Sequence, residues 1–266
     1  MAKSKHFNSA IANPTGHKMA QKTFEPTTTI IVPTAASSPT LTSVINTHDR
    51  QTESHRTILI ETSGDPQAYF NLTINQSERK NTRILAIEPE ENCHPCRVIT
   101  EAIDIGIAIC DTEWAFLTHD DVWLNDTNLL KRLIEIAENA GVPIVGYEMS
   151  PRGHCTEEWR GMVSHTATLL HTPTMQGLGM RWSLVEAHQT TPWSKEKPGW
   201  PDTETNFGRQ VKRLQIPQFF IGHETNDRHF EDDNITHRRS LTSHRVHSHL
   251  GKIDDEKWIA QQIVLH

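Results

Sequence analysis

The sequence predicts an α/β protein: a mixed, mostly parallel sheet flanked by crossover helices, followed by a less regular second half. Three observations lead there. Short β-branched runs alternate with stretches of helical spacing through the first 150 residues or so. Several of those runs are continuously apolar, as strands buried on both faces require. Proline and glycine punctuate their ends, at Pro33, Gly64-Asp65-Pro66 and Gly141.

Taken in order, residues 1–26 mix Lys, His, Asn, Pro and Thr without periodicity, which predicts an extended, mobile segment. Residues 27–33 (TTTIIVP) form a β-branched strand stopped by proline. Ser37-Ser38-Pro39 starts a helix with Leu41, Val44 and Ile45 on one face. Residues 57–62 (TILIET) are a second buried strand, and residues 83–87 (RILAI) a third; between them the pattern assigns no element. Over residues 95–110, Ile99, Ala102, Ile103, Gly106, Ile107 and Cys110 recur at helical spacing. A strand over 114–117 follows, then a helix over 126–140 that packs with Leu130, Leu133, Ile134 and Ala137, then a strand over 142–147. Beyond these, 165–171 alternates loosely as a strand, and 187–201 is a loop rich in Pro and Trp. Asp202 caps a helix with the stripe Phe207, Val211 and Leu214, and 216–221 closes as a strand. The tail from His223 is dense in His and Arg, with a final helix expected over 252–264.

Composition narrows the functional classes. A net charge of −7 over 266 residues argues against bulk electrostatic binding of nucleic acid, although 17 His allow local cationic clusters. No apolar run approaches the ~20 residues of a membrane span, and no apolar signal core follows the first residues. Four Cys in such a chain suggest free thiols, so a soluble, cytoplasmic protein is expected. Cys93-His94-Pro95-Cys96 opens the 95–110 helix and offers a thiol-redox reading, or half of a zinc site.

The chemistry concentrates in one stretch, residues 114–123 (WAFLTHDDVW). A buried strand ends abruptly in His119, Asp120 and Asp121, where an open α/β sheet places its ligands. Adjacent carboxylates repel, and a divalent cation with oxygen ligands is the simplest compensation. A solvated loop that caps the next helix through Asp126 is the competing reading.

The order of features resembles GT-A-fold, family-2-like glycosyltransferases over about residues 27–225. Ile30-Ile31-Val32-Pro33-Thr34, Leu41 to Val44, Gln51-Thr52, Ile58 to Ser63, and Asn92 before a helix resemble their nucleotide-sugar half. Residues 116–122 (FLTHDDV) look like the family's DxD element, with His in its first acidic position. Trp200-Pro201-Asp202-Thr203-Glu204, and His223 after the next strand, resemble the acceptor-side carboxylates and late His. Two positions depart: Glu61 stands where an Asp usually contacts the nucleoside, and Cys93 where Gly often follows Asn.

The resemblance implies a GT-A (Rossmann-like) domain over 27–225, divided into a nucleotide-sugar half (27–148) and an acceptor half (149–225), with 226–266 as tail. It implies Mn2+ or Mg2+ held by His119, Asp121 and His223. Pro33, Thr34, Glu61, Ser63, Asn92, His119 and Asp120 would surround a nucleotide-diphosphate sugar, a UDP-sugar foremost. Asp202, with Glu204 as second choice, would be the catalytic base of an inverting transfer to a hydroxyl acceptor: a glycan, a protein or a hydroxymethylated DNA base. Trp159, Trp182, Trp193 and Trp200 offer faces for sugars or bases, or else fill loop core. The rival classes are a catalytically silent GT-A-like binding module and the thiol-redox protein.

Overall fold

The computed structural model describes residues 25–35, 38, 40–89, 95–149, 160–183, 203–225 and 229–238. The expectations for residues 1–24, Asn92, the Cys93–Cys96 motif, Trp159, the loop 187–201, Asp202 and a helix over 252–264 lie outside the described residues or side chains.

Chain order sets the sheet. Strands β1 (Thr28–Thr34), β2 (His55–Glu61) and β3 (Thr82–Ala86) are parallel neighbours, separated by helices α1 (Leu41–Asp49) and α2 (Pro66–Asn75). Helix α3 (Pro95–Ala108) crosses over to β4 (Trp114–Thr118), which pairs in parallel with the other side of β1. After β5 (Val122–Leu124) and α4 (Leu129–Ala140) come β6 (Ile144–Met149) and β7 (Val163–His171); β7 runs antiparallel between β4 and β6. Helices α5 (Thr172–Gly177) and α6 (Thr205–Leu214) precede β8 (Gln218–Glu224), parallel to β6. The result is a seven-stranded sheet in the order β3-β2-β1-β4-β7-β6-β8. The mixed, mostly parallel α/β architecture expected from the sequence is therefore the observed one.

Strand alternation divides the core in two. Ile30 and Val32 of β1, Leu59 of β2 and Phe116 of β4 face α1 and α4, while Ile31, Ile58, Ile60, Ala115 and Leu117 face α3, α5 and α6. Such two-sided burial explains the continuous apolar runs. Gly141 ends α4 in the left-handed region (φ 65°), the conformation for which its glycine stop signal was read.

Several elements differ from expectation for physical reasons. Helix α2 fills the stretch in which no element was expected: Asp65 accepts a bond from the Gln67 amide (2.9 Å) and Pro66 opens the first turn. It buries only Leu72, leaving Phe70 and Ile74 exposed, so it carries no apolar period to read. Helix α6 starts at Thr205, two residues later than a cap at Asp202 implies, and Leu214 is exposed; Phe207, Gly208 and Val211 form its buried stripe. Residues 229–238, counted from sequence with the tail, form β9 (His229–Glu231) and β10 (Ile235–Arg238). They make a three-stranded sheet with β5, and Phe230 and Ile235 enter the core. Among the described residues no helix is long and apolar enough to cross a membrane.

Gly106 lets α3 lie close on β1: a Cβ there would sit 2.5 Å from Ile31 Cγ2. Gly106→Ala is expected to destabilise the protein by about 1–3 kcal/mol through overpacking, read as a lower urea midpoint at unchanged m. An unchanged midpoint would show that α3 can shift without cost.

Candidate active site and metal centre

In the order β2-β1-β4 the chain reverses direction of travel across the sheet, and the crevice at the carboxyl ends of β1 and β4 is where open α/β sheets bind ligands. The β1–β4 ladder ends at Ile31–Leu117, short of both carboxyl ends. Beyond it, Thr34 from β1 and Asp120 from β4 meet: the Thr34 hydroxyl donates to Asp120 Oδ2 (2.8 Å). The Thr40 hydroxyl, just ahead of α1, donates to the Asp120 carbonyl (2.7 Å). Asp120 and Asp121 are buried, at 4% and 3% exposure, so the solvated-loop reading fails for them. Asp126 does serve the next helix, accepting from the Asn128 amide (2.8 Å).

The turn after Asp121 enters β5, whose partner is β10. That pairing aligns His237 with Val122, and the Arg238 amide donates to the Asp121 carbonyl (3.0 Å). His237 Nε2 consequently lies 3.6 Å from Asp121 Oδ1, and His119 Nδ1 lies 3.8 Å from the same oxygen. His119, Asp121 and His237 each offer one ligand atom, all within 4.8 Å of one another. Two imidazole nitrogens and a carboxylate oxygen fit a first-row transition ion better than Mg2+ or Ca2+, which favour all-oxygen shells.

His223, the late His expected among the ligands, stands elsewhere. Alternation along β8 puts it on the face opposite Glu224; it is largely exposed and pairs with Glu148 Oε2 (2.8 Å). His237 instead lies beside Asp121 and His119. The missed signal was a hairpin: Phe230 and Ile235 flank Asp232-Asp233-Asn234, a turn-forming trio between two short runs.

Glu204, expected from the sequence on an acceptor side, reaches the same place through His165. Glu204 ends the loop before α6, is 3% exposed and makes no side-chain bond to the helix N-terminus. Its Oε1 instead meets His165 Nδ1 on β7 in a hydrogen bond. The His165 ring packs against His119, with centroids 4.0 Å apart. His165 had no role assigned from sequence. Behind it Trp182 is fully buried and stacks on Phe207 (4.3 Å, 5° between planes), so this indole is core. Asp104 of α3 anchors that segment by accepting from the Trp182 and Ser183 amides (2.7 and 3.1 Å), and burial pushes its carboxyl up from the ordinary range despite those bonds.

On the other side, Glu61 ends β2, fully buried. Its Oε1 accepts the Ser63 amide (2.7 Å), while Oε2 has no hydrogen-bond partner among the described residues. Pro33 and Thr34 pair with Ile60 and Glu61 across β1–β2, so these residues share one carboxyl edge with Asp120.

No family model and no curated protein matches this sequence. Among solved structures, TarS of S. aureus aligns over 89% of this chain and 42% of its own length, at 10% identity and a TM-score of 0.53. TarS 1–349 aligns over 60% and 52% (12% identity, TM-score 0.45). The mannosyltransferase PcManGT from Pyrobaculum calidifontis, in complex with GDP-Man and Mn2+, aligns over 75% and 56% (12% identity, TM-score 0.49). The chain spans about half the length of the structures it matches. The likeness to TarS at a TM-score of 0.53 shows the fold: the chain has a GT-A-like glycosyltransferase fold.

Proposed function

We propose that this protein is a metal-dependent glycosyltransferase that moves a sugar from a nucleotide-diphosphate sugar to a hydroxyl acceptor, with inversion. The observation that carries the reading is the trio of half-buried His119 with buried Asp121 and His237, set at the carboxyl end of β4 beside the β1–β4 crevice. These three side chains would hold a divalent cation. Bound there, the cation would supply positive charge to the diphosphate leaving group. Thr34 holds one oxygen of the Asp120 carboxylate at this edge, and the carboxylate would accept ribose hydroxyls. The second oxygen of Glu61 accepts one N–H from the base, which suits the imino group of uracil and so a UDP-sugar. Pro33 and Ser63 belong to the same edge, and Asn92 is the remaining candidate nucleotide contact from the sequence.

On the far side of the trio, Glu204 removes the acceptor hydroxyl proton while His165 steadies its carboxylate; Asp202, two residues earlier, is the other candidate base. The acceptor is a hydroxyl of a glycan, a protein or a modified base. The net charge of −7 makes nucleic acid the least favoured of these.

The test is a screen of nucleotide sugars, by thermal shift and by hydrolysis of the donor, with Mn2+, Mg2+ or EDTA. Mn2+ is expected to give a donor-dependent rise in Tm and slow hydrolysis, EDTA to abolish both, and Mg2+ to be at least tenfold weaker, about 1.4 kcal/mol. Binding without any turnover would identify a silent binding module instead. Equal response to Mg2+ would remove the imidazoles from the ligand set.

A further inference from the structure

Resting on that reading of the trio, one buried carboxylate outside it has a definable task. Glu224 ends β8 at 1% exposure. The Thr166 hydroxyl on β7 lies 3.2 and 3.1 Å from its two oxygens, and its Oε1 lies 2.7 Å from His237 Nδ1. An ionised carboxylate can only accept, so the proton of a neutral His237 belongs on Nδ1. The lone pair is then on Nε2, and Nε2 is the nitrogen directed at Asp121.

We propose that Glu224 is the positioning residue of the metal centre: it selects the Nδ1–H tautomer of His237 and fixes Nε2 as the donor before any cation arrives. The need for such a residue follows from the fold. His119 and Asp121 ride on the end of β4, whereas His237 comes from the separate sheet β5-β10-β9. Pairing with β5 places the His237 backbone but leaves its ring free to turn and to exchange tautomers. Glu224, held in the main sheet and braced by Thr166, removes both freedoms. The alternation of β8 also accounts for its neighbour: Glu224 faces the site, so His223 faces away. An outer carboxylate of this kind orients a ligand imidazole and raises its basicity, and losing one typically costs 10–100-fold in metal affinity.

The experiment measures Mn2+ affinity of the full chain by the EPR signal of free Mn2+, for the unaltered protein, Glu224→Ala, Glu224→Gln and His237→Ala. Nitrogen NMR of the metal-free, unaltered chain reads the His237 tautomer. Glu224→Ala is expected to bind roughly 10–100-fold more weakly with unchanged circular dichroism, and Glu224→Gln to recover most of the loss because its amide oxygen can accept the same bond. The NMR spectrum is expected to show the proton on Nδ1. Unchanged affinity in a folded Glu224→Ala, an equal loss in both Glu224 variants, or a proton on Nε2 overturns the positioning role. Should Glu224→Ala fail to fold, Glu224→Gln and the NMR result decide. If the unaltered chain binds no Mn2+, or His237→Ala binds it as well, the metal centre itself is wrong and this inference falls with it.

Discussion

Asp121→Asn is expected to lower metal-dependent turnover of the donor by about 10³-fold, equivalent to about 4 kcal/mol of transition-state stabilisation. Asp121 is the only carboxylate of the trio, and both imidazoles approach the same Oδ1. The amide keeps the shape but removes the charge that would hold a cation against the leaving diphosphate. Asp120→Asn is expected to differ, acting mainly through KM, because Asp120 is bonded to Thr34 and, on the proposed reading, would contact the nucleotide rather than the cation. Steady-state kinetics with Mn2+ titrated to saturation separates the two. Undiminished kcat in Asp121→Asn would remove the cation from the chemistry.

Stability is expected to fall with acid through one residue of α1. His48 is fully buried, and neither ring nitrogen has a hydrogen-bond partner among the described residues. Burial, then the nearby charges of His55 and Arg79, push its pKa down from 6.5 to about 3. The unfolded chain takes up a proton near pH 6.5 while the folded chain resists until about pH 3. The stability is therefore complete above pH 6.5 and is lost progressively as pH falls towards 3. The slope is about 1.4 kcal/mol per pH unit, so the loss is on the order of 2 kcal/mol at pH 5 and at most about 5 kcal/mol. His48→Leu breaks no hydrogen bond and is expected to flatten the curve by one proton, seen in urea denaturation across that range. An identical slope in the variant would assign the acid sensitivity elsewhere. The effect reaches the site, because α1 and the residue before it hold the acidic turn: Thr40 bonds the Asp120 carbonyl and Thr47 accepts the Leu124 amide (3.0 Å).

Legibility along the chain tracks how strongly each segment buries a periodic face. β1, β2, β4, α3 and α4 were plain because their apolar residues fill one of the two cores. Helix α2 was not, since it buries a single leucine and is specified by its cap and proline. β5, β9 and β10 are three or four residues long, too short for a period to register, and are strands only because they pair with one another. The same division runs through the site. His119, Asp120 and Asp121 were visible because they interrupt an apolar strand. Glu204 was singled out through its motif, while His165 and Glu224 looked like ordinary strand residues.

By itself the sequence determined the α/β sheet, the strand that carries the acidic turn and the donor types gathered there, since burial periodicity and residue chemistry are local properties. It could not choose between His223 and His237. That choice belongs to the tertiary structure: strand alternation turns His223 outward, and the antiparallel register of β10 on β5 carries His237 to Asp121 across 116 positions of chain. A metal centre needs atoms within a few ångströms, and only long-range strand pairing sets distances of that kind.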